Sequence, residues 1–199
     1  MTAWQSVLDW WFGSASSSAE VAAARGTLWF GKRDSQDREA HERFAGLVEQ
    51  ALAGELEDWN QQPEGWLARV LLLDQLPRMI FRDTPRAFAG DAGAQALVRA
   101  GMAEGWDARL TPIQRVFIYL VLEHAEDLAV QDQAVACFRA LRNAAPESER
   151  QLFDDYLDYA ERHRRVIARF ARFPHRNAIL GRASSAAELS FLQEPGSRF

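Results

Sequence analysis

The chain has 199 residues, a length that suits one domain with a proper hydrophobic core. Hydrophobic residues make up 48% and charged residues 26%, a balance that excludes disorder of the whole chain. The net charge of -5 argues against indiscriminate binding to nucleic acid or anionic membranes, so any basic surface must be local.

Trp4, Val7, Leu8, Trp11 and Phe12 recur at helical spacing and predict a first amphipathic helix ending near Gly13. The stretch from Gly13 to Glu20, rich in Ser, Gly and Ala, reads as a loop. Trp29-Phe30-Gly31 then echoes Trp11-Phe12-Gly13, too short a match for a duplicated unit. Asp34 or Ser35 can cap a helix with an apolar face of Phe44, Leu47, Val48, Ala51 and Leu52, closed by Gly54. Pro63 suits the first turn of the next helix, which carries Trp66, Leu67, Val70, Leu71 and Leu73 and is expected to kink or end at Pro77. Asp91 starts a helix reaching Gly105, and Thr111-Pro112 starts another through Val116, Phe117, Leu120 and Val121. Two more helical segments follow at 128–141 and 146–173, the second stopped by Pro174. Ser184 or Ser185, with Glu188 at capping-box distance, opens a closing helix to Leu192.

No alternating β-branched run lies between turn signals. The expected fold is therefore all-α: a compact single-domain array of seven to nine helices, arranged as hairpins without a legible 34-residue tetratricopeptide register. There is no basic leader, and no apolar run approaches the roughly 20 residues of a membrane span, so a cytoplasmic location is expected. The lone cysteine, Cys137, has apolar neighbours and reads as a packed thiol in a reducing compartment.

Of the 23 basic residues only Lys32 is a lysine. Guanidinium groups suit buried ion pairs and bidentate anion binding, which makes their positions informative. Arg78, Arg82 and Arg86 are spaced four apart around Pro77 and Pro85, where broken helices leave amides free for a carboxylate or phosphate; alternatively Asp74, Asp83 and Asp91 neutralise them internally. Glu123 and Asp127 share a helix face beside His124, a group suited to proton exchange. The histidine spacing fits no zinc signature, and neither metal nor cofactor is expected. From Arg162 to Arg182 there are seven arginines and no acid, whereas Glu123 to Asp132 holds four acids and no lysine or arginine. Arg172, His175, Arg176, Asn177 and Arg182 crowd the proline break at 174, with the 123–132 acids as first candidates to neutralise them and an external anion as second.

Taken together, 7–13 (VLDWWFG), 29–32 (WFGK), Leu73-Asp74-Gln75-Leu76-Pro77-Arg78, Phe81-Arg82 with 85–88 (PRAF), Glu123-His124-Ala125-Glu126-Asp127-Leu128, 172–182 and Glu194-Pro195-Gly196-Ser197 resemble the bacterial family named domain of unknown function 924. Its pattern carries Pro-Arg-Asn where this chain has Met79, and His-Ser-Glu-Asp where it has Ala125. The resemblance implies a compact helical fold similar to the tetratricopeptide-like superfamily and brings no established reaction with it. The functional expectation is a small anionic ligand or acidic peptide end clamped by Arg78, Arg82, Arg172 and Arg176, with His124, Glu123 and Asp127 orienting it or exchanging protons. Two alternatives stand beside it: an enzyme using His124 as general acid or base on a phosphorylated or carboxylated metabolite, and a protein-interaction module marked by a continuous exposed Trp and Phe patch.

Overall fold

The computed structural model describes residues 2–197. Among these residues there is no strand. The α-helices are α1 (Ala3–Phe12), α2 (Ser18–Phe30), α3 (Asp34–Leu52), α4 (Pro63–Leu73), α5 (Gln75–Ile80), α6 (Asp91–Ala103), α7 (Pro112–Glu123), α8 (Leu128–Ala144), α9 (Arg150–Phe170) and α10 (Ala186–Phe191). Only Asp74 separates α4 from α5, so the pair acts as one bent helix and the described fold holds nine helical rods.

Local chemistry explains most boundaries. Capping boxes start α1 at Thr2 with Gln5, α7 at Thr111 with Gln114, and α10 at Ser185 with Glu188. A further box, Ser17 with Glu20, starts α2 at Ser18, so the loop expected to reach Glu20 ends earlier. The expected break at Pro77 falls instead at Asp74, whose backbone (φ -109°, ψ -56°) departs from helical values. Pro77 is the third residue of α5, where an amide would have no intrahelical partner, so its missing N–H breaks no bond.

The core runs from α1 to α9. Trp11 and Trp29 close on Phe117 of α7 with ring centroids 5.4 and 4.8 Å apart. The buried stretch Gly65–Leu73 of α4 forms the centre of the array, and α8 and α9 pack as a hairpin against α7. A small separate cluster joins Val166, Ile167 and Phe173 to Phe170 and Phe191. Cys137 is half-buried, and burial pushes its thiol up to about 11, which keeps it protonated and unreactive. No helix among the described residues is long and apolar enough to cross a membrane.

Candidate functional site

The bend at Asp74 puts a carboxylate at the centre of the fold, with no exposed surface. Gln75 Nε2 donates to its Oδ2 at 2.6 Å, and His124 Nδ1 lies 2.8 and 3.1 Å from its two oxygens. His124 is the C-cap of α7, so a helix end brings the imidazole to the bend. One turn past Asp74, Arg78 sends Nη1 to Asp74 Oδ1 at 3.1 Å and to the Asp74 carbonyl, and sends Nη2 to Asp91 at 2.9 and 3.1 Å. Asp91 is the first residue of α6, a position that favours negative charge. The fifth member, Arg176, sits on the 3-10 turn Pro174–Arg176, with Nη1 3.3 Å from Asp91 and 3.2 Å from the His124 carbonyl that accepts its hydrogen bond. Phe88 covers both guanidiniums, at 5.6 Å from Arg78 and 4.9 Å from Arg176, and Phe173 lies 4.5 Å from the latter.

Burial opposes charge at Asp74, Asp91, His124 and Arg176, and the neighbours decide the outcome. At Asp74 burial raises the carboxyl, yet Arg78 and His124 overcome it and hold the group below the usual carboxylate range. Asp91 is raised, since there burial exceeds the help from Arg78. His124 is lowered by burial and by the charge of Arg78, and is therefore neutral, with Nδ1–H directed at Asp74 and Nε2 left as the acceptor. Nε2 makes no hydrogen bond to a described residue, and 15% of the side chain stays exposed. Burial brings Arg176 down to about 10, still charged at neutrality. Two carboxylates and two guanidiniums thus cancel around an uncharged imidazole.

The other predicted residues go elsewhere. Arg82 makes two 2.6 Å bonds to Asp37 of α3 rather than pairing with Asp83, and Arg86 pairs with Glu49 at 2.6 and 2.7 Å while lying 3.9 Å over Phe81. Arg172 holds Glu188 at 2.6 and 2.8 Å. Arg182 reaches Glu126 at 2.6 and 2.9 Å and Asn177 Oδ1 at 2.9 Å, and Asn177 donates to Ser184 at 3.0 Å. His175 is half-buried, and desolvation depresses it to about 3. Glu123 turns away from the cluster to His163, 2.9 Å off, and Asp127 caps α8 by accepting from the amides of Ala129 and Val130. The arginines of 162–182 are neutralised only partly by the 123–132 acids: Glu126 and Asp132 take Arg182 and Arg164, while Asp91, Glu188 and Glu194 face Arg176, Arg172 and Arg169. Among the described residues no group of three metal-ligating side chains is assembled. Gln75 and Phe88, which complete the cluster, lie in the segments 73–78 and 85–88 that carry the family resemblance, although neither is among the predicted site residues.

Fold and site together define an all-helical protein in which a helix bend, a helix C-terminus and a proline turn set one Asp–His pair between two arginines. The family model described as bacterial protein of unknown function (DUF924) matches residues 7–196, and the chain belongs to that family. It is also similar to the solved structure of a protein of unknown function, ATU0120 from Agrobacterium tumefaciens, with 34% identity and a TM-score of 0.74 over 89% of this chain and 99% of that one. No curated protein matches. The three segments 73–78, 123–128 and 172–182, prominent in the resemblance, contribute Asp74 and Arg78, His124, and Arg176 to one cluster.

Proposed function

We propose that the Asp74–His124 cluster binds a small anionic ligand, its carboxylate or phosphate group resting on the exposed edge of Arg78 and accepting or yielding a proton at His124 Nε2. The observation carrying this reading is the neutral imidazole: a buried carboxylate orients Nδ1, while Nε2 stays unbonded, and Arg78, which pairs with the same carboxylate, has a side chain 20% exposed. Pre-oriented neutral histidine next to a guanidinium is a suitable arrangement for anion recognition and for general acid–base work on the bound molecule. Because the resident charges already cancel, an added anion is accommodated best together with a proton, taken up by His124 or Asp91. A single domain working in the cytoplasm belongs to the same reading, which the one unpaired cysteine suits.

Titration of inorganic phosphate and acetate, followed through the His124 imidazole resonances, tests it. The expected result is a saturable shift of the His124 signals with proton uptake and tighter binding at pH 6 than at pH 8. Resonances unmoved by either anion at both pH values would sink the proposal. A purely structural clasp is the second reading, favoured by the two carboxylates that already occupy Arg78; it predicts no movement of His124 at all. The interaction-module alternative draws little support: all seven tryptophans are buried or half-buried, and the large exposed apolar residues Phe30, Leu128, Tyr159, Leu180 and Leu189 come from separate segments.

A further inference from the structure

A different arginine lies outside every charge pair described so far. Arg69 is on the otherwise apolar helix α4 and keeps only 8% of its surface exposed. Its Nε is buried without a hydrogen-bond partner, and its guanidinium makes no ion pair with a described residue. An uncompensated buried cation is costly, so a group in this position calls for an occupant. Arg69 lines a cleft of about 370 Å³ between the end of α3, the end of α4 and the start of α6. Two close approaches fix the cleft: a Cβ on Gly90 would lie 2.0 Å from the Leu73 carbonyl, and Trp66 Nε1 donates to the Leu97 carbonyl at 3.0 Å. Gly90 and Gly93 at the start of α6 border the same space, and the helix has no side-chain cap, so its first amides lack a capping acceptor.

We propose that this cleft binds a small aliphatic monocarboxylate, its carboxylate held by Arg69 and the α6 amides and its chain lying on Leu52, Leu73 and Leu97. One guanidinium matches one negative charge; among the described residues no lysine, histidine or second arginine lines the cleft to hold a phosphate dianion, and the remaining walls are Ala, Leu and Gly. This site shares no side chain with the Asp74–His124 cluster and stands or falls separately.

The test is calorimetric titration of the whole protein with acetate, butanoate, hexanoate and inorganic phosphate, for wild type, Arg69→Met and Ala96→Leu. Affinity should rise with chain length, about fourfold for each added methylene that is buried. Arg69→Met should abolish binding and leave the ligand-free protein as stable as wild type or more so, because a buried unpaired charge is removed. Ala96→Leu, which keeps Arg69 and narrows the cleft, should weaken hexanoate at least tenfold, and it decides the matter if Arg69→Met fails to fold. Absence of carboxylate binding, affinity independent of chain length, phosphate bound as tightly as hexanoate, or hexanoate bound unchanged by Ala96→Leu would each overturn the proposal.

Discussion

His124 Nδ1 lies 2.8 Å from Asp74 Oδ1, although the two residues are 50 positions apart and come from the end of one helix and the bend of another. The contact sets the tautomer of the imidazole and gives the buried carboxylate a second partner at Oδ1, the oxygen that Arg78 also reaches. A histidine at an ordinary helix C-terminus would be favoured as a cation; here burial and Arg78 outweigh that tendency and keep it neutral.

Replacing Asp74 with Asn keeps its shape and removes its charge, which leaves Arg78 in an ion pair only with Asp91 and gives His124 a neutral amide oxygen in place of a carboxylate. Removing one partner of a buried pair typically costs about 3 kcal/mol, and a loss near that size is expected in urea denaturation. His124→Asn, which removes no charge at neutral pH, should cost markedly less.

Acid should weaken the fold through its histidines before it reaches most carboxylates. His124 and His175 both have folded-state values below the ordinary 6.5, the latter at about 3. As pH falls below 6.5 the unfolded chain binds protons that the folded chain refuses, so stability falls by roughly 1.4 kcal/mol per pH unit for each such group until its folded value is reached. Asp91 works in the opposite direction, because its raised carboxyl takes up a proton above the ordinary 3.8, and offsets part of the loss near that range. Asp74, held low, adds stability that disappears only as pH falls through its depressed value. Urea midpoints measured from pH 7.5 to 4.5 should show this fall, and His124→Asn should make it shallower.

The sequence was most informative where one short segment settles the physics. Thr111-Pro112 and Ser185-x-x-Glu188 contain the atoms that start their helices, and both starts are where those atoms place them. Arginines beside proline breaks also pointed to the centre of the cluster, since Arg78 and Arg176 do converge with His124. Which acid each arginine meets was not legible: Arg176 and Asp91 are 85 residues apart, and Arg82 and Asp37 are 45 apart, pairings that only helix packing decides. Asp127 had the right spacing to join Glu123 on one face, but α8 begins directly after it and its carboxylate is taken by two amides. Arg69 was hidden by its surroundings, since a single charge inside a Trp-Leu-Ala-Arg-Val-Leu run gives no pattern, although its isolation there was itself a signal.

The C-terminal helix should loosen separately from the core. Glu188 accepts from Arg172 at 2.6 and 2.8 Å and from the Ser185 amide at 2.7 Å, and these bonds, Arg172 foremost, hold its carboxyl down to about 2. Among the described residues it is the one carboxylate joining the capping box of α10 to the segment that follows α9. Glu188→Ala should therefore abolish amide hydrogen-exchange protection across 186–192 while α4 and α7 keep theirs, because Phe191 belongs to the small cluster around Phe173 and not to the main core.

Gly101 should resist replacement by alanine even though it lies inside a helix. Alanine normally gains up to about 1 kcal/mol over glycine there, and Gly46→Ala in α3, where an added Cβ meets nothing within 4 Å, should show that gain. At Gly101 the added Cβ would lie 2.4 Å from the Trp66 ring, which is fully buried and therefore has no space to retreat. Relief requires α6 to move away from α4, stretching the Trp66 bond to the Leu97 carbonyl and disturbing the packing of Trp66 against Trp106, 5.8 Å between centroids. Overpacking of this kind outweighs helix propensity, so Gly101→Ala should lose about 2 kcal/mol in chemical denaturation while Gly46→Ala gains. The opposite signs follow from helix packing alone, because both residues are helical glycines and only one of them is pressed against a tryptophan.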